Sequence, residues 1–130
     1  MAGRVKIFFD GGCRPNPGQM QAAAVVRGAV HHVADLGHGT SEQAEWLALL
    51  HALRIAEIAG ERDIILLGDA AGVIAQANGT AKCRNAASLE QFQMEVAKFD
   101  RVRVRYIRRN QNLAGIALGQ LAVLAFSRRE

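Results

Sequence analysis

Val5, Ile7 and Phe9 alternate with Lys6 and Phe8 in RVKIFF, a period of two that predicts a strand. QAAAVVRGA and VHHVADLG follow as two more strands, with Gly28 between them in an expected hairpin. Beyond them the period changes. Across residues 41–59, Trp46, Leu49, Leu50, Leu53 and Ile58 recur at helical spacing behind a Thr-Ser start suited to a helix cap. DIILL is apolar without interruption after its aspartate, as a buried parallel strand should be, and it ends at Gly68-Asp69. A short helix is predicted over 71–77, stopped by Asn78-Gly79. Another begins near residue 85 and carries Leu89, Phe92, Val96 and Phe99. RVRVRYI alternates strictly, with Arg101, Arg103 and Arg105 on one face and Val102, Val104 and Tyr106 on the other. A last helix is predicted over 112–127.

Three strands in a meander, then alternating helices and strands, predict a mixed sheet with helices packed on it, α/β or α+β by label. Nothing reads as a linker, repeat or low-complexity tract, so residues 1–130 are expected to form one domain with a single core. Half the residues are hydrophobic, which excludes a disordered chain. The least polar run, LAGIALGQLAVLAF, is shorter than the roughly 20 apolar residues a membrane crossing needs. The first ten residues show no signal-peptide pattern. Cys13 and Cys83 lack the paired spacing of a zinc site and fit reduced thiols, so a cytoplasmic monomer away from membranes is expected. The net charge of +4 is weak support for a polyanionic partner.

The chemistry rests on three acids. Asp10 ends the first strand, Asp69 ends DIILLGD, and Glu45 falls in the first turn of the long helix on the face of Leu49 and Leu53. Singly, each has a plain explanation: a turn former, an acid favoured by the helix dipole, a helix cap. Jointly they point elsewhere. A carboxylate on a core-facing stripe is costly unless something neutralises it. Two like charges about 4 Å apart repel by roughly 4 kcal/mol at an effective dielectric near 20. Three such acids together fit a hard divalent cation with oxygen ligands, Mg²⁺ or Mn²⁺.

Five stretches, in order, resemble motifs of the type 1 ribonucleases H, which cut the RNA strand of RNA–DNA hybrids. They are FDGGCRPNPG, TSEQAEWLALLHAL, LLGDAAGVIAQANG, ANGTAKCRN and YIRRNQNLAGIALGQLA. The resemblance implies a ribonuclease H-like fold, a five-stranded mixed sheet in the order 3-2-1-4-5 flanked by helices. It implies two-metal hydrolysis, with Asp10 bridging both ions and Glu45 and Asp69 on the leaving-group side. It places Gly11, Gly12, Cys13, Asn16, Thr40, Ser41, Lys82 and Arg84 at the substrate. Among these, Asn16 is expected at the RNA strand and Thr40 at a phosphate of the DNA strand.

The pattern breaks at the family's fourth carboxylate. Matching Arg109 and Asn112 in register puts Ile116 at that position, and no acid occurs between Asp100 and Glu130. Asn112, one helical turn earlier, either ligates the metal in its place or caps the helix. Ser41 and Glu42 replace an Asn-Asn pair, Gly68 and Ala70 replace two serines, and the four histidines read as structural or surface residues. The arginine face of RVRVRYI is either a solvated edge or a phosphate contact. Arg128 and Arg129 suit the negative end of the last helix. The leading expectation is a hybrid-cutting nuclease weakened by the missing acid. The alternative is a module that binds hybrid or RNA without cutting. An integrase- or resolvase-like nuclease fits the compact length and the Asn-Pro-Gly loop less well.

Overall fold

The computed structural model describes the backbone of residues 4–128 and the side chains of residues 4–121. Six strands and four helices follow one another as β1 (Val5–Cys13), β2 (Gly18–Val26), β3 (Ala29–Val33), β4 (His38–Gly39), α1 (Ser41–Ile58), β5 (Asp63–Gly68), α2 (Ala71–Ala77), α3 (Ala86–Val96), β6 (Arg101–Tyr106) and α4 (Leu113–Arg128), with a 3₁₀ turn at Arg109–Gln111 before α4. The sheet order is β3-β2-β1-β5-β6, and two-residue β4 pairs with β2 off that path. Without β4 this is the expected 3-2-1-4-5 order. β1, β2 and β3 are antiparallel, whereas β1, β5 and β6 run parallel. The mixed sheet of the sequence reading is therefore present. Arg27 and Gly28, both at positive φ, make the β2–β3 hairpin.

Strand alternation sends side chains to two faces. Ile7, Phe9, Ile64, Leu66 and Val104 meet Trp46, Leu49 and Leu53 of α1 and apolar residues of α2 and α3 in the main core. Phe8, Ala23 and Val25 meet Ala114, Ala117 and Leu118 of α4 on the other face. α4 packs across β1, β2 and β3.

Three sequence expectations change. β1 continues through Gly11 and Gly12 to Cys13, which pair with Ala22, Gln21 and Met20. A glycine pair that looks like a turn is strand here because α1 lies against it: a Cβ on Gly11 would overlap the Ala44 carbonyl oxygen. Asp10 is thus inside a strand, not at its end. Ile58, predicted on the apolar stripe of α1, is 77% exposed, because the helical period turns it to the face opposite the buried Leu49, Ala52 and Ala56. Arg129 lies outside the described residues, as does the side chain of Arg128.

Candidate active site

Each carboxylate reaches the site by a different local route. The β1–β5 register pairs Phe8 with Leu67, and two residues further on Asp10 stands beside Asp69. Both acids project from the face that α4 partly covers, at the C-terminal edge of the parallel strands. Glu45 comes from α1, on the opposite side of the sheet. Gly11 opens the way, since its missing side chain lets α1 approach the strand where β1 would otherwise hold it off.

Thr40 starts α1. Its hydroxyl accepts from the Gln43 amide at 3.2 Å, while the Gln43 side-chain oxygen accepts from the Thr40 amide at 2.8 Å. The acid in the first turn is Glu42, so Glu45 lies a turn further on than the sequence indicated. The helix-dipole explanation for Glu45 falls with that position. Nor does Asp69 cap α2, whose N-cap is Ala70 without a side-chain bond.

Asp10, Glu45 and Asp69 each present an oxygen, and these three oxygens lie within 4.8 Å of one another. Burial, then the charges of Asp10 and Asp69, push Glu45 up to about 9. Burial, then the charge of Asp69, push Asp10 up to about 6. At neutral pH, without a cation, Glu45 keeps its proton. Its Oε2 is buried and has no hydrogen-bond partner. Acids that repel one another, one with an orphaned oxygen, fit a hard divalent cation, because positive charge removes the repulsion and oxygen donors suit Mg²⁺ or Mn²⁺.

A cleft of about 340 Å³ opens over the three acids. Of the residues expected at the substrate, Gly11, Gly12, Cys13 and Ser41 line it. Asn16 stands behind them: its Oδ1 accepts from the Ser41 amide at 3.0 Å and ties the β1–β2 loop to the start of α1. Thr40 is exposed beside it. Lys82 and Arg84 sit further off, in the segment between α2 and α3. Arg84 pairs with Glu42, so the negative charge that Glu42 brings near the substrate is already offset.

Asn112 does not join the acids. It is fully buried, its amide donates to the Phe9 carbonyl at 3.0 Å, and its Oδ1 accepts from the Ala114 amide at 3.1 Å. Both ends of the amide are used in fastening the start of α4 to the strand residue before Asp10. Of the two readings open at the sequence level, this geometry matches the helix cap. The α4 residue turned to the acids is Gly115, where a Cβ would lie 3.3 Å from Asp10 Oδ2. Ile116 is 44% exposed and outside the cleft lining.

Arg109, Arg14 and Gln21 also line the cleft, and sequence reasoning assigned them no role. Arg109 is 94% exposed and holds its Nε 3.8 Å from Asp69 Oδ2. A signal for it existed in YIRRNQN, where it falls three residues before Asn112. Arg14 and Gln21 face the site only because β1 and β2 pair past the glycines, which no local pattern reveals.

A family profile described as reverse transcriptase-like matches residues 8–122. Over 82 residues the chain is 40% identical to the ribonuclease HI of Halobacterium salinarum, covering 59% of this chain. The chain spans about two fifths of that curated relative, 41% of its length. Among solved structures, ribonuclease H1 from the halophilic archaeon Halobacterium salinarum NRC-1 matches with a TM-score of 0.76 and 31% identity, covering 89% of this chain and 94% of that one. The N-terminal ribonuclease H domain of a Mycobacterium tuberculosis protein, solved as a fusion with maltose-binding protein, matches with a TM-score of 0.77 and 28% identity, covering 92% and 98%.

Proposed function

We propose that this chain, which belongs to the reverse transcriptase-like family and within it to the type 1 ribonucleases H, hydrolyses the RNA strand of RNA–DNA hybrids with Mg²⁺ or Mn²⁺. One observation carries the reading: three carboxylate oxygens from three separate elements lie within 4.8 Å, in a cleft and without a counter-charge sufficient to ionise them all. Asp10, Glu45 and Asp69 would hold the metal, with Asp10 shared if two ions bind. A bound divalent cation supplies positive charge that stabilises the attacking and departing oxygens of an in-line displacement at phosphorus.

The chain's own groups do the rest. Arg109, long and exposed at the cleft edge, orients a phosphate and adds positive charge beside Asp69. Gly12, with open space where a Cβ would stand, lets a nucleic-acid backbone come close to the strand. Ser41 and Thr40 present the positive end of α1 to a second phosphate. Asn112 positions Asp10 through the Phe9 carbonyl. Discrimination for hybrid over DNA duplex rests on contacts to 2′-hydroxyls in a wide minor groove. With no acid from α4 in the shell, activity is reduced relative to a four-acid site.

The two cysteines are free thiols, in keeping with action as a monomer in the cytoplasm. Among the described residues no helix is long and apolar enough to cross a membrane. The test is incubation with an end-labelled hybrid and with the matching DNA duplex, in Mg²⁺ and in Mn²⁺. Cleavage of the RNA strand alone is expected; an intact hybrid at every metal concentration would refute the catalytic reading. The presence of Gly115 opposite Asp10 favours one second reading, hybrid binding without cleavage. It predicts metal-free affinity that Asp10→Asn leaves unchanged.

A further inference from the structure

The sheet register extends the site in a direction the motifs do not mark. Lys6 pairs with Ile65, and Ile65 with Arg103; Phe8 pairs with Leu67, and Leu67 with Arg105. Arg101 is level with Asp63 at the far end. Because side chains two residues apart on a strand share a face, these rows lie on the same face as Asp10 and Asp69. The carboxylates form the top row, and the arginines descend from it along β6.

Helix cover on that part of the sheet is slight. α4 packs mainly over β1, β2 and β3, and among the described residues no helix packs closely on the corresponding side of β5 and β6, where Leu67 is buried but the charged side chains around it reach the surface. Arg101, Arg105 and Lys6 are exposed and Arg103 is partly so. Among the described residues, none of the four has a carboxylate within 4.0 Å. Asp63, at the bottom of the stripe, is the one acid sharing these rows below the catalytic pair. Four cations against one acid, on a face continuous with the cleft through Arg109, complement a polyanion rather than an apolar partner.

We propose that this slightly covered face of β5 and β6 carries the backbone of a nucleic-acid strand continuing out of the catalytic cleft, with Arg101 and Arg105 as phosphate contacts. This rests on the hybrid reading for the identity of the strand, not for cleavage. The span follows from strand geometry. Rows are about 7 Å apart, so Arg101 lies about 20 Å from the level of Asp69. At about 3.4 Å per nucleotide along the axis, that is roughly six nucleotides beyond the cut.

The test is hybrid binding in EDTA, followed by fluorescence anisotropy against salt, for the wild type, Arg101→Gln/Arg105→Gln and Arg101→Lys/Arg105→Lys. Arg103 is left intact because one of its guanidinium nitrogens is buried. Two hybrids are compared, a short core and the same core extended by about six base pairs on each side. With the extended hybrid, the glutamine variant should lose about 2 from the slope of log K against log salt, and the lysine variant should keep it. With the short core the three proteins should bind alike. An unchanged slope, or equal loss on both hybrids, overturns the proposal. So does an unchanged slope accompanied by arginine-dependent binding to phosphatidylserine vesicles, which would assign the face to a lipid surface. Should the wild type bind hybrid but never cut it, the slope still decides this inference and only the catalytic reading falls. A wild type that binds no hybrid overturns both.

Discussion

Glu45→Gln should stabilise the metal-free protein, and the gain should grow with pH. In the folded chain Glu45 loses its proton only at about 9, against 4.5 for the ordinary carboxyl, because burial and the charges of Asp10 and Asp69 oppose ionisation. The sign follows from proton counts. Between those two values the folded state holds a proton that the unfolded state has released, so stability falls as pH rises. Each pH unit in the window costs about 1.4 kcal/mol. At pH 7.5, three units above the unfolded value, the cost is about 4 kcal/mol, and glutamine, neutral at every pH, does not incur it. For a chain of this size that corresponds to a shift in Tm of roughly 10–15 °C. Thermal unfolding followed by circular dichroism in EDTA, from pH 5 to pH 9, measures it. The two proteins should nearly coincide at pH 5 and diverge steadily above it, with the variant more stable. Added Mn²⁺ should raise the wild type far more than the variant. A gap that does not change with pH, or a less stable variant at pH 8, would refute the electrostatic account of this site.

Gly11→Ala should destabilise by about 3 kcal/mol or more in denaturant unfolding, because its methyl group would overlap the Ala44 carbonyl and push α1 off the sheet. Asn112→Ala leaves the buried Phe9 carbonyl and Ala114 amide unpaired, a loss of about 2–4 kcal/mol by the same measurement. Its Mn²⁺ affinity should fall far less than that of Asp10→Asn, whereas a ligand role would make the two losses similar. An acid introduced at Gly115, facing Asp10 across 3.3 Å, should tighten Mn²⁺ binding in calorimetry more than Ile116→Asp, whose parent side chain is half-exposed and outside the cleft lining. The reverse order would place the α4 contact one residue further along.

Much of the fold was legible because single periodicities dominate each element. RVKIFF and DIILL matched strands, the spacing from Trp46 to Leu53 matched a helix, and their order left few topologies. The three acids were singled out as a set, although Asp10 lies inside its strand and Glu45 beyond the first turn of α1. What escaped the sequence depends on pairs of distant segments. Gly11-Gly12-Cys13 continues a strand only because β2 begins at Gly18 and α1 needs the space above Gly11. Asn112 was open to metal binding as well as to capping until the Phe9 carbonyl, 103 residues away, took its amide. Arg84, expected at the substrate, is paired with Glu42 from the first turn of α1. Arg109 comes to the cleft beside Asp69, and the rows of the arginine stripe follow the β5–β6 register, neither of which a local pattern shows.

The most direct measurement is a calorimetric titration of Mn²⁺ into the metal-free protein at pH 7.5, repeated in buffers of different ionisation enthalpy to count protons. The wild type should bind with release of about one proton, given up chiefly by Glu45, and both binding and release should be lost in Asp10→Asn. Binding that survives Asp10→Asn unchanged, or that releases no proton, would mean that these three carboxylates do not hold the ion.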